Sequence, residues 1–206
     1  MKQAKSSAKR PTGRNKPAAV AGAPGEVRII SGSWRGRKLA VLNAEGLRPT
    51  TDRVKETLFN WLMLDIDGAT VLDCFAGSGS LGFEALSRHA KHCTLLERDK
   101  AAAGQLLQNQ QKLGCGNADI INTDSLSWLK QAAKRQYDVV FIDPPFRKDL
   151  ALPCCQLLEQ QQWLATPALI YLETEKELDV AALPANWRLV KEKVAGQLAY
   201  RLYQRG

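Results

Sequence analysis

Thr70-Val71-Leu72-Asp73-Cys74-Phe75-Ala76-Gly77-Ser78-Gly79-Ser80-Leu81-Gly82 is the stretch on which the fold turns. Its first six residues read as a buried strand. Gly77, Gly79 and Gly82 then form G-x-G-x-x-G, and 77–90 reads as a Gly-rich turn followed by a helix. Glycines there permit a tight turn and let backbone N–H groups approach a ligand at a helix N-terminus. Alone, the pattern also fits an ordinary structural turn. The surroundings add to it. Downstream, strands are predicted over Thr94–Glu97, Asp119–Asn122, Tyr137–Asp143 and Ala168–Glu173. Helices are predicted over Asp99–Gly114, with Asp99 as its cap, Ser125–Arg135 and Asp149–Gln162. Upstream, Thr50 or Thr51 can cap a helix carrying Val54, Leu58, Trp61 and Leu62. Short apolar strands alternating with helices mean an α/β, Rossmann-like domain with a mostly parallel sheet. Two late alternating runs, Trp187–Val194 and Leu198–Gln204, predict a C-terminal antiparallel hairpin at one edge.

Three acids follow successive strands: Asp73, Glu97 and Asp124. They fall at strand C-termini, where open α/β sheets bind ligands, and Glu97 can accept both hydroxyls of a ribose. An acid beside the glycine turn would repel a pyrophosphate. It would attract the sulfonium and ammonium of S-adenosylmethionine. The D-x-F-x-G-x-G arrangement of Asp73, Phe75, Gly77 and Gly79 therefore favours S-adenosylmethionine over NAD. The competing role for Asp73 is a helix-capping carboxylate. Ala76, Ser78, Arg98 and Ser125 complete the candidate cofactor site.

The segment Asp138-Val139-Val140-Phe141-Ile142-Asp143-Pro144-Pro145-Phe146 carries the chemistry. Two prolines give the strand a rigid exit with fixed φ and no N–H, so the Pro144 carbonyl is held in place. Asp143 adds a carboxylate acceptor and Phe146 a flat face. Together they suit a planar heterocycle bearing an exocyclic amine. Two aimed acceptors draw the amine lone pair out of conjugation and toward a methyl donor, and the contribution is orientation and electrostatics. A lone D-P-P would read as a strand-end turn; here it follows the glycine turn, Glu97 and Asp124 in order. Glu173 and Glu175 read equally as pocket rim or surface charge.

The charge distribution divides the chain. Of 206 residues, 29 are Lys or Arg and 21 Asp or Glu. Residues 1–25 hold six basic side chains and no acid, residues 26–55 seven basic and three acidic, and residues 56–206 sixteen basic and eighteen acidic. A nearly neutral body with a basic front end fits contact with a polyanion. The expected organisation is a disordered basic tail over 1–25, a basic hairpin over 26–48 and a catalytic domain over 49–206. The tail is too polar to offset its ordering entropy by burial. Arg35, Arg37 and Lys38 around Trp34 combine phosphate contacts with a stacking surface, as RNA readers do; the alternative is a solvated hairpin with Trp34 packed on the sheet. No apolar run approaches the roughly 18 residues of a membrane span, and the basic N-terminal stretch lacks a signal-peptide core. The five cysteines, with no C-x-x-C, read as reduced thiols of a cytoplasmic protein. His89 and His92 make no metal motif, and no metal is expected.

The sequence resembles the class I S-adenosylmethionine-dependent methyltransferases that modify base amines. More narrowly it is similar to the bacterial 16S rRNA guanine-N2 methyltransferase (RsmD-like) family. The resemblance runs from about Arg28 to Arg205 and rests on four marks. They are Arg28-Ile29-Ile30-Ser31-Gly32 with Trp34-Arg35-Gly36-Arg37, the long run from Leu47 to Asn60, Leu72 to Gly79, and Phe141 to Phe146. One departure is Ser33, where a second glycine is expected. The resemblance implies a seven-stranded sheet with the last hairpin reversed. It also implies methylation of one guanine N2 in 16S rRNA, either naked or in a partly assembled small subunit. Separately, a cytoplasmic monomer is expected. Glu97 would hold the ribose and Asp124 the adenine amine. Arg48-Pro49-Thr50 would lie over the cofactor, and Asp143, Pro144, Pro145 and Phe146 would hold the flipped guanine. Arg28, Trp34, Arg35, Arg37, Lys38 and Arg53 are the candidate RNA contacts. Two alternatives stay open: a DNA or RNA adenine-N6 or cytosine-N4 methyltransferase, and a non-catalytic RNA-binding assembly factor.

Overall fold

A computed structural model describes residues 25–42 and 52–206; the tail, Arg48, Thr50 and the Thr50/Thr51 cap lie outside the described residues. The short apolar runs form the strands the sequence predicts. They are β1 (Gly25–Arg28), β2 (Lys38–Val41), β3 (Thr70–Asp73), β4 (His92–Glu97), β5 (Ala118–Asn122), β6 (Tyr137–Ile142), β7 (Leu164–Glu175), β8 (Trp187–Ala195) and β9 (Leu198–Arg205). The helices are α1 (Asp52–Trp61), α2 (Ser80–Ser87), α3 (Lys100–Leu113), α4 (Ser125–Leu129) and α5 (Ala151–Gln160).

Seven strands make one sheet in the order β5-β4-β3-β6-β7-β9-β8. The first five are parallel, and β9 runs antiparallel between β7 and β8. From β3 the chain adds strands on one side, then returns to place β6 on the other. The strand order therefore reverses between β3 and β6, and open sheets bind ligands beyond the carboxyl ends of such a pair. The glycine turn leaves β3 and the double proline leaves β6, so the two most informative segments meet there.

Alternate strand residues feed two cores. Val71, Val139, Phe141 and Tyr171 face α1, α2 and α3 together with Phe59 and Phe83. Leu72, Val140, Ile142 and Leu172 face α4 and α5 together with Leu129, Leu158 and Trp163. Helix α3 has the predicted limits: the Asp99 carboxylate accepts from Ala102 N at 2.8 Å, and Gly114 closes it at φ +65°. Helix α2 follows the glycine turn as expected, because Gly77 and Gly79 have positive φ, outside helical space. Helix α4 stops six residues short of Arg135. The Trp163 indole donates to the Leu129 carbonyl at 2.9 Å, where the next turn would bond, and Ala133 N donates to Gln161 O instead. Among the described residues, no helix is long and apolar enough to cross a membrane.

The β1–β2 hairpin pairs Arg28 with Lys38 and Gly25 with Val41. Its inward residues Val27, Ile29, Leu39 and Val41 are buried in the same core as α1, α2 and α3. Its loop is pinned to α2. Glu84, fully buried, accepts from Ile30 N at 2.8 Å and Ser31 N at 3.1 Å, and pairs with Arg88 at 2.8 Å. The Ser87 hydroxyl donates to the Ser31 carbonyl and accepts from Trp34 N at 3.0 Å. Gly32, at φ +78°, passes so close that a Cβ would stand 1.7 Å from the Ser87 carbonyl oxygen. Gly36 has φ +81° with open space around it. Gly36→Ala should therefore cost only the left-handed backbone penalty, about 1–2 kcal/mol. Gly32→Ala must also displace the loop from α2, and urea unfolding should show a loss of at least about 3 kcal/mol.

Candidate active site

The site is built at the carboxyl ends of β3, β4, β6 and β7. Asp73 closes β3, is 2% exposed, and accepts from Gly82 N at 3.1 Å. It thus caps the first turn of α2, the competing role the sequence allowed. Gly82 lets α2 sit against the sheet, since a Cβ there would meet Leu95 at 2.7 Å. Gly79, at φ +73°, is pressed against Phe83 and Leu106, either of which a Cβ would meet at 2.6 Å.

Glu97, at the end of β4, accepts from Gly77 N at 2.8 Å through one oxygen and from Asp99 N at 2.7 Å through the other. Each carboxylate oxygen has a further lone pair, so this anchored group can also accept the two hydroxyls of a ribose. The turn at Gly77 and Ser78 lines a small pocket closed by Val41 and Leu42 of the hairpin and by Ala102, Gln105 and Leu106 of α3. The anchored Glu97 acceptors fit the ribose hydroxyls of a nucleoside such as that of S-adenosylmethionine.

Asp124 caps α4 by accepting from Ser127 N at 2.9 Å, and that bond lowers its carboxyl pKa, with Arg98 contributing through its charge. Ser125, another cofactor-site candidate, is buried, and its hydroxyl donates to the Cys74 carbonyl. That bond fastens α4 to the end of β3, a structural role.

Asp143 leaves β6 beside both Asp73 and Glu173. Glu173 corrects the surface-charge reading. It is 9% exposed, accepts from the Tyr171 hydroxyl at 2.8 Å and lies next to Asp143 across neighbouring strands. Its sequence signal was the alternation Tyr171-x-Glu173, which puts it on the face of Phe141 and Tyr171. Phe146 is 43% exposed, with the Arg147 guanidinium 5.1 Å over its ring. Arg147 N donates to the Glu175 carboxylate, so Glu175 is the rim group.

The basic candidates divide. Arg35 and Arg37 are exposed on the hairpin loop. Arg28 pairs with Asp52 at 3.2 Å and Lys38 with Glu26 at 2.8 Å, all exposed. Arg53 is exposed at the start of α1. Trp34 is partly buried and packs against the core, which favours the packed alternative for this ring. All five cysteines are buried and free, and among the described residues no cluster could hold a metal ion.

Burial, then the neighbouring Asp143, pushes the Asp73 carboxyl up to about 7; burial and Asp143 push Glu173 up to about 8. A carboxyl whose pKa is raised on folding binds its proton more tightly in the native state. Its stabilisation is complete below the unfolded value near 4 and is lost as pH rises through the native value. Cofactor-free protein should therefore melt at lower temperature at pH 8.5 than at pH 6. In Asp73→Asn, whose amide stays neutral and keeps an acceptor for Gly82 N, that drop should shrink by at least about 3 °C. Scanning calorimetry at the two pH values reads it, and an equal drop in both proteins would remove Asp73 as the cause.

Comparison with known proteins agrees with this geometry. The family model described as conserved hypothetical protein 95 matches residues 27–204. Ribosomal RNA small subunit methyltransferase D of Escherichia coli (strain K12) is 56% identical over 181 residues, covering 88% of this chain and 91% of that protein. Its counterpart in Haemophilus influenzae (strain Rd) is 59% identical over 185 residues, covering 88% and 95%. The structure of the putative methyltransferase yhhF from Escherichia coli superposes with a TM-score of 0.81 at 56% identity, covering 88% of this chain and 98% of that one. With the reversed strand order, the glycine turn and the proline exit all in place, the chain belongs to the conserved hypothetical protein 95 family and shares its fold with these methyltransferases.

Proposed function

We propose that the protein transfers a methyl group from S-adenosylmethionine to the exocyclic N2 amine of a guanine in 16S rRNA. The observation that carries this reading is the position of Asp143-Pro144-Pro145-Phe146 at the β3/β6 crossing, next to a glycine turn that Glu97 holds by its backbone. Relatives of nearly full length that carry the name of a small-subunit rRNA methyltransferase support the substrate class.

S-adenosylmethionine supplies a methyl on a cationic sulfur. Glu97 accepts the ribose hydroxyls and Asp124 the adenine amine, with Arg48 and Thr50 as further cofactor contacts. Asp73, beside the glycine turn, favours the cationic end. Asp143 accepts one N–H of the guanine amine and the Pro144 carbonyl accepts the other. With both N–H bonds directed, the nitrogen lone pair turns out of the ring plane toward the methyl. Phe146 holds the ring flat, once Arg147 has moved from its face, and Pro145 fixes the path of the loop. Transfer of the methyl would break its bond to sulfur, return that electron pair to a neutral thioether and leave the nitrogen cationic, and Asp143 would pass one proton from the nitrogen to water. No stronger base is required, because the proton leaves after the charge has formed.

Asp143→Ala should lower methyl transfer to 16S rRNA by at least about a hundredfold, with cofactor affinity within about threefold of wild type. Radiolabelled methyl incorporation and calorimetry with S-adenosylmethionine measure the two. A nucleoside digest of the product should contain N2-methylguanosine; N6-methyladenosine or N4-methylcytidine in its place would overturn the choice of base.

A further inference from the structure

The register of β8 changes midway. Trp187 and Leu189 pair with Arg205 and Tyr203, but Lys191 pairs with Leu202 and Lys193 with Tyr200. Two residues of β8 thus pass one residue of β9 at Val190, a β-bulge. Without it, Lys191 and Lys193 would share the face of Trp187 and Tyr203, which lies over the α5 core. With it, they share the face of Leu202, Tyr200 and Tyr171, the face of the catalytic end. Bulges next to active sites serve to re-aim side chains in this way.

The row that results is specific. Glu173 pairs with Tyr200, and Tyr200 with Lys193. Asp143 follows β6 just beyond its last pair with β7, Ile142 with Leu172. At about 4.8 Å between strands, Lys193 stands roughly 14 Å from Asp143, a separation of a few nucleotides along a single strand. Both lysines are exposed, and among the described residues neither forms an ion pair with a carboxylate. The acid between them, Glu192, points to the other face and is held by buried Arg201 at 2.7 Å. The hairpin with Arg35 and Arg37 sits over the β3–β4–β5 half of the same face, through α2 and α3. Asp143 lies between the two basic groups.

We propose that Lys191 and Lys193 grip the phosphates of the substrate RNA strand on the far side of the pocket from the hairpin. The strand then crosses the catalytic end from the hairpin to the β8 edge, with the target nucleotide turned down at Asp143. This rests on the RNA methyltransferase reading above and extends it to the path of the substrate. Lysines and a bulge also shield a sheet edge from pairing with other chains, and the experiment separates that role from this one.

The test compares wild type, Lys191→Gln/Lys193→Gln and Lys191→Arg/Lys193→Arg on a 16S rRNA fragment between 50 and 200 mM KCl. The Gln pair should raise Kd and KM for RNA about tenfold, with the loss on KM rather than on kcat and with cofactor affinity unmoved. Each phosphate contact to a single strand contributes about 0.7 to the slope of log K against log salt, so the slope should become shallower by about 1.4. The Arg pair should restore both. Wild-type affinity and salt slope in the Gln pair, with or without aggregation, would mean that the lysines only guard the edge. If wild type methylated while the Gln pair was unchanged, this inference alone would fall. If wild type methylated no RNA, the functional reading would fall and take it along.

Discussion

The carboxylate of Glu97 joins the two loops from which the site is made. One oxygen holds the glycine turn through Gly77 N, the other the entry to α3 through Asp99 N. The turn, with φ of +50° at Gly77 and +73° at Gly79, has one internal bond, from Gly79 N to Ala76 O at 2.7 Å. Two charge-assisted bonds from one buried-edge carboxylate fix it against β4, and such bonds are roughly twice as strong as neutral ones. The place where a nucleoside would lie is therefore set before the nucleoside arrives, which is the condition for catalysis by orientation.

The second organising feature is the crowding of acids. Asp73, Asp143 and Glu173 end three neighbouring strands, and their proximity in a buried setting keeps protons on Asp73 and Glu173 that free carboxyls would lose. Like charges side by side in low dielectric cannot all ionise. A cationic ligand would relieve that repulsion, so the crowded acids favour the ligand proposed for the site.

Much of this was legible in the chain. The alternation of strand and helix, the limits of α3 and the C-terminal antiparallel hairpin follow from spacing and local preference. The buried charges were not. Glu84 sits in Ser80-Leu81-Gly82-Phe83-Glu84-Ala85-Leu86-Ser87, an ordinary helical run, yet it accepts from two hairpin N–H groups and from Arg88. Lys55, 1% exposed, donates to the Arg28 carbonyl and lies 3.6 Å from Asp52. Neither shows its partner, because each partner is at least 27 residues away or depends on how a helix is rotated.

The sequence by itself determined the fold class, which depends on local periodicity, and it supplied the side-chain chemistry on which the proposed cofactor and amine site rest. Only the tertiary structure decided which charges are buried, where the Ser125 hydroxyl bonds, and which face each strand residue presents. Ser125 turned inward because the Cys74 carbonyl lay opposite, and Lys191 and Lys193 turned to the catalytic face because β8 gained one residue on β9. In a strand the side-chain period is two, so a single unpaired residue reverses every side chain after it. That shift is a property of the pairing between two strands, and it exists only once they are paired.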